Sequence, residues 1–142
     1  MRQKFLLLLC IATLGLASCK KETYIQEPQA RTYNYTIQPN QWVSNSGGLN
    51  YTANIKLSAL DKVTLDDEGV LVYLSHPANN NSDIQLPYTY DVNSYTYELY
   101  IGGINIDIQS SDAQATAPKA PTKPVFVKIV VVPSKYAGNA GN

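Results

Sequence analysis

From Thr32 onward, apolar and polar residues alternate with a period of two, the spacing of a strand with one buried face. Tyr33, Tyr35 and Ile37 alternate with Thr32, Asn34, Thr36 and Gln38, and Pro39 ends the run. The longest alternation follows the turn-rich Ser44-Asn45-Ser46-Gly47-Gly48. There Leu49, Tyr51, Ala53, Ile55, Leu57 and Ala59 fall on one face, opposite Asn50, Thr52, Asn54, Lys56 and Ser58. Helical geometry would scatter both sets around a cylinder, so the pattern predicts a strand.

The segment Asp61 to Gly69 breaks this period. It predicts a short helical turn capped by Thr64, with Asp66, Asp67 and Glu68 near its positive end and Gly69 stopping it. Val70-Leu71-Val72-Tyr73-Leu74 is apolar on both faces, as a central strand is. Ser75 to Asp83 predicts a loop. Ile84, Leu86, Tyr88 and Tyr90 then resume alternation, with Pro87 marking an edge position or a bulge.

Tyr95, Tyr97, Leu99 and Ile101 share one face, as do Ile104, Ile106 and Ile108 after Gly102-Gly103. A two-residue turn at the glycines predicts a hairpin pairing Ile101 with Ile104, Leu99 with Ile106 and Tyr97 with Ile108. Ser110 to Pro124, with Pro118, Pro121 and Pro124, predicts an extended loop. Val125 to Val132 is so apolar on both faces that it would be unsafe as a free edge, which places it inside a sheet. About seven short strands with almost no helical period predict an all-β domain over residues 32–133, a single antiparallel β-sandwich. A small closed barrel is the alternative. Residues 134–142 form a small-residue tail.

Ahead of this body, Arg2 and Lys4 precede the apolar run Phe5 to Leu16, and Leu16-Ala17-Ser18 lead directly to Cys19. A charged start, a short apolar core and a small-residue cleavage site describe a secretory signal peptide. The run is about a dozen residues, against the roughly 20 needed to span a bilayer as a helix. This arrangement resembles the lipobox of bacterial lipoproteins. The resemblance implies that residues 1–18 are removed and that the Cys19 thiol takes a diacylglyceryl group. The new amino terminus is then acylated by a fatty acid such as palmitate.

Residues 19–31 read as a polar tether. Its Lys20-Lys21-Glu22 resembles in part the charged export signal of surface lipoproteins in the Bacteroidota, whose usual form has two acidic residues after the lysine. An ordinary solvated linker is the alternative.

Removing Arg2 and Lys4 leaves nine basic residues against eleven acidic ones, a formal net charge of −2. No basic surplus points to nucleic acid. Attachment to a membrane must then come from the lipid, and stable anchoring takes more than one acyl chain. Cys19 is the single cysteine of the mature chain, so no internal disulfide can form.

Little in the body reads as chemistry. His76, the only histidine, precedes Pro77 in a loop and reads as a solvated residue rather than a ligand or base. Asp66, Asp67 and Glu68 lack the spacing of a calcium loop and read as helix-start acids. No serine sits in a nucleophile elbow and no glycine loop is built for phosphate. No catalytic residue, metal or cofactor is expected, and the chain does not read as an enzyme. A hydrolase using carboxylates such as Asp66 and Asp107 is the least favoured alternative. Eleven tyrosines are the one compositional excess, read chiefly as core and rim packing. Trp42, Tyr73 and Tyr100 are the candidates for an exposed aromatic platform.

Four pieces of the body resemble a group of uncharacterised small secreted proteins and collagen-like-protein tails from the Bacteroidota. They are Trp42, the acidic turn running into Gly69 to Leu74, Leu86-Pro87-Tyr88-Thr89, and Phe126 to Pro133. The resemblance covers most of residues 40–133 and implies a β-domain and a phylum without catalytic residues. The resulting expectation is a lipoprotein anchored in the outer membrane through Cys19, on its periplasmic face or at the cell surface. It would act as a non-enzymatic interaction or structural module toward an envelope protein. A surface glycan-binding accessory protein is the alternative.

Overall fold

In the computed structural model, which describes residues 29–134, alternating side chains sort into two antiparallel sheets packed face to face. The elements are β1 (Arg31–Ile37), β2 (Val43–Asn45), β3 (Asn50–Lys56), α1 (Lys62–Asp67), β4 (Glu68–His76), β5 (Asn79–Gln85), β6 (Tyr88–Tyr90), β7 (Asn93–Tyr100), β8 (Gly103–Ser110) and β9 (Val125–Pro133). One sheet has the order β1-β9-β4-β5 and the other β2-β3-β8-β7-β6. The fold is an all-β sandwich, as the alternation predicts. The signal peptide, Cys19 and most of the tether and tail lie outside the described residues.

Among the described residues nine strands form where about seven were expected, for two reasons. The three-residue β2 is too short to display a period, and it is a strand only because Val43, Ser44 and Asn45 pair with Thr52, Tyr51 and Asn50. The run Ile84 to Tyr90 is two strands. At Leu86-Pro87 the chain leaves β5 in one sheet and enters β6 in the other. Proline lacks the N–H that a continuous ladder would need. Part of the expected 75–83 loop is likewise strand, since β5 begins at Asn79 and folds back on β4.

The inner faces supply the core. Val72, Leu74, Val127, Ile129 and Val131 come from one sheet, and Ala53, Ile55, Ile104, Ile106 and Ile108 from the other, each at most 2% exposed. Burying each large aliphatic side chain is worth about 1.5–3 kcal/mol. β9 lies between β1 and β4, so both of its edges are paired; Val127, Ile129 and Val131 face the core, while Phe126 and Val132 on its outer face stay exposed. A hydrogen bond from the Tyr97 hydroxyl to the Val70 carbonyl, 3.2 Å, ties β7 across to β4.

The β7–β8 hairpin forms with a register two residues away from the expected one. Leu99 pairs with Ile104, Tyr97 with Ile106 and Tyr95 with Ile108. The turn is Ile101-Gly102, with Gly102 at φ +95°. Tertiary contacts set this position: the Gly102 carbonyl accepts from the Leu57 N–H at 2.8 Å, and the Gly102 N–H donates to the Leu60 carbonyl at 2.7 Å. An even shift keeps the same side chains inward, so the apolar match survives. Only Ile101 changes its fate, standing 66% exposed at the turn.

The helical turn also differs from expectation. Asp61, not Thr64, is the N-cap of α1, and its carboxylate accepts from the Thr64 N–H at 2.8 Å. That bond holds the Asp61 carboxyl below its ordinary value. Thr64 is buried inside the turn, and Asp66 and Asp67 occupy its last positions rather than its positive end. Asp66 is held there by an ion pair with Lys62, one turn before it.

Candidate functional site

One end of the sandwich is open between the sheets. β4 ends there at His76, β9 begins at Val125, and the connection from β8 passes over the gap. The cavity has a volume of ≈ 360 Å³, within the range of small-ligand sites (about 300–1,000 Å³). Its floor is apolar, made by Leu74, Ile108 and Val125 from both sheets. Trp42 and Tyr95 add aromatic walls, and the loop residues 119–124 cover it.

The covering loop is held by its own chemistry. Pro118, Pro121 and Pro124 fix φ at three points and limit its freedom. Pro118 is buried, and Ala120 packs against the core. At the loop's start the Asp112 carboxylate accepts from the Ser110 hydroxyl and from the Thr116 N–H at 3.1 Å. These bonds, the Ser110 hydroxyl foremost, hold the Asp112 carboxyl down to about 2. Its folded value lies below its unfolded one, so this contribution to stability is full above about pH 4 and is lost as pH falls through about 2. A carboxyl titration followed by NMR is expected to give Asp112 a midpoint near 2. Asp112→Asn should raise the amide exchange of Thr116 without unfolding the sheets. An ordinary carboxylate midpoint, near 3.8, would remove this explanation of how the loop is held.

His76 is positioned rather than freely solvated. Its Nδ1 accepts from the Ala78 N–H at 3.0 Å, which assigns the proton of the neutral ring to Nε2. The rings of Tyr88 and Tyr90 stand edge-on to it at 5.9 and 4.9 Å. Tyr95 is nearly buried, and burial pushes its phenol above the ordinary value, with Asp91 and Tyr90 adding to the effect. It is therefore a neutral hydroxyl at physiological pH.

Trp42 corrects the expectation of an exposed platform. It is 7% exposed, packed in the core, and its indole Nε1–H meets no acceptor among the described residues. The reason is topological: the chain passes from β1 to β2 across the open end, and the large indole closes the core there. Tyr73 lies on the outer face of the four-stranded sheet, paired with Lys128, whose ammonium sits 4.7 Å from the ring centre. Tyr100 is on the outer face of the other sheet, where its hydroxyl accepts from Asn54. Its ring covers Gly103, and a Cβ at that position would collide with the Tyr100 hydroxyl and the Ile55 carbonyl. The three aromatics therefore share no surface.

The carboxylates considered for hydrolysis are also separately engaged. Asp66 pairs with Lys62, and Asp107 accepts from the Thr52 hydroxyl on the solvent face of β8. Among the described residues no three His, Cys, Asp or Glu side chains gather as a metal centre. A second concavity, on the outer face of β1 and β9, includes Phe126, Lys128 and Asp83, but its charges already pair with each other.

The chain matches no family model, no curated protein and no solved structure. The site is accordingly read from its own geometry. Sequence reasoning set His76 aside and missed Lys119, Ala120 and Lys123. One signal was available: a loop of about 12–15 residues without secondary structure is usually functional or a linker.

Proposed function

We propose that this protein is a lipoprotein of the outer membrane that works as a non-enzymatic binding module, with the cavity at the open end of the sandwich as its binding site. The observation that carries the binding role is the cavity itself, which joins an apolar floor to oriented polar groups on one wall. His76 Nδ1, Asp66 and Asp107 are each engaged in a hydrogen bond or ion pair, which favours binding over acid–base chemistry.

The anchor rests on Leu16-Ala17-Ser18-Cys19, outside the described residues. Eleven residues lie between Cys19 and Arg31, and the twelve steps reach at most about 43 Å at 3.3–3.6 Å per residue. Among the described residues no helix is long and apolar enough to cross a membrane. Cells grown with a labelled fatty acid are expected to incorporate it into the wild-type chain and not into Cys19→Ala. Equal labelling of the two would refute the anchor.

A further inference from the structure

The cavity's walls carry an uneven set of polar groups. Its ionisable side chains are His76, Tyr95, Lys119 and Lys123, with no carboxylate. Nδ1 of His76 is occupied by the Ala78 N–H, so the ring's remaining polar atom is the Nε2–H donor. Lys119 and Lys123 are exposed at the loop, and among the described residues neither enters an ion pair, like Lys56 and unlike Arg31, Lys62 and Lys128. Trp42, another wall residue, has a buried indole N–H that meets no acceptor among the described residues. Buried donors in native proteins are nearly always paired, so such a group calls for an explanation. The cavity lining is thus rich in donors and positive charge and holds no carboxylate of its own.

Beside Ser75 and Thr122, the rest of the lining is Leu74, Ile108, Ala120, Val125 and proline, a mostly apolar surface that favours an apolar body. The three prolines also keep the loop close to its covering position, so little ordering is left for a ligand to impose.

We infer that the cavity binds a small anionic amphiphile, an apolar body carrying one carboxylate, with the carboxylate held at the Lys119, Lys123 and His76 rim. A carboxylate supplies the acceptors and the negative charge that the wall lacks. A neutral molecule of the same shape would gain only the apolar term. This inference deepens the binding reading and is independent of acylation at Cys19.

The test uses the full chain carrying Cys19→Ala, which keeps acyl groups out of the sample. Trp42 is the only tryptophan in the sequence and lines the cavity, so its emission reports occupancy. Octanoate and 1-octanol are titrated in parallel, with calorimetry as a second readout. Octanoate is expected to bind saturably and about tenfold more tightly than octanol, the size of effect that 1.4 kcal/mol of head-group interaction gives. Lys119→Ala with Lys123→Ala is expected to abolish that preference. Both lysines are exposed, so this variant folds. Ala120→Phe, which fills the cavity, should weaken both ligands.

Equal binding of octanoate and octanol would overturn the inference, as would a preference that survives loss of both lysines. Absence of saturable binding by either readout overturns the cavity as a binding site. None of these results bears on fatty-acid labelling of Cys19, so failure here and failure of the anchor are separable.

Discussion

Ile104→Lys is expected to unfold the domain, and Ile101→Lys to leave it folded. Ile104 is fully buried and pairs with Leu99 on one side and Ile55 on the other. Replacing it forfeits about 1.5–3 kcal/mol of apolar burial. The ammonium must then be desolvated at several kcal/mol, or give up its proton, with no carboxylate among the core residues to pair with. Together these losses are comparable with the whole stability of a small domain, about 5–15 kcal/mol. Ile101, at the turn and 66% exposed, should change stability by no more than about 0.5 kcal/mol.

Urea denaturation followed by circular dichroism measures both. The pair of variants also reads the hairpin register. With the turn at Gly102-Gly103, Ile101 would lie opposite Ile104 on the buried face, and lysine at either position would be ruinous. Similar midpoints for the two variants would contradict the observed pairing.

Trp42→Ala is expected to cost about 3–5 kcal/mol, the usual loss on truncating a buried tryptophan. At about 4–8 °C per kcal/mol for a domain near this size, the melting temperature should fall by more than about 10 °C. Trp42→Phe should cost far less. It keeps an aromatic wall at the cavity and removes the buried N–H that has no acceptor among the described residues, a group whose burial costs about 1–3 kcal/mol. Loss of ring area and loss of the unpaired donor then act in opposite directions. A tryptophan on an exposed platform would show neither result, because its truncation would move stability by about 0.5 kcal/mol at most. Thermal melts of both variants decide between the two placements.

Much of the fold was legible because inward and outward positions alternate in the sequence itself. Ala53 and Ile55, Val72 and Leu74, and the three isoleucines of β8 all lie where period two puts them. The central place of β9 follows from residues apolar on both faces. The turn between β6 and β7 was less legible. Asp91 and Val92 both take positive φ, at +46° and +58°, a conformation usually signalled by Asn-Gly or Asp-Gly. Valine gives no such signal, and the turn exists because flanking strands impose it. Capping was misread for a related reason. Asp61 and Thr64 are both acceptable caps, and the choice depends on which side chain the sheets bury.

The candidate site was hardly legible at all. His76, Tyr95, Ile108 and Lys119 belong to different segments, and no spacing along the chain links them. They meet because β4, β7 and β8 have ends at the same pole of the sandwich and the proline-rich loop crosses there. Trp42 shows the same limit, since a residue outside any periodic run carries no local sign of which way it faces.

By itself the sequence determined the inward face of the long alternating strands, the central position of β9, and the lipobox at Cys19 as the proposed point of attachment. These follow from period, local composition and covalent chemistry, all written in consecutive residues. Only the tertiary structure decided the hairpin register, the sheet switch at Pro87, the burial of Trp42 and the existence of a donor-rich cavity. Each of those depends on which distant segments come to lie side by side, and packing between sheets, not local propensity, makes that choice.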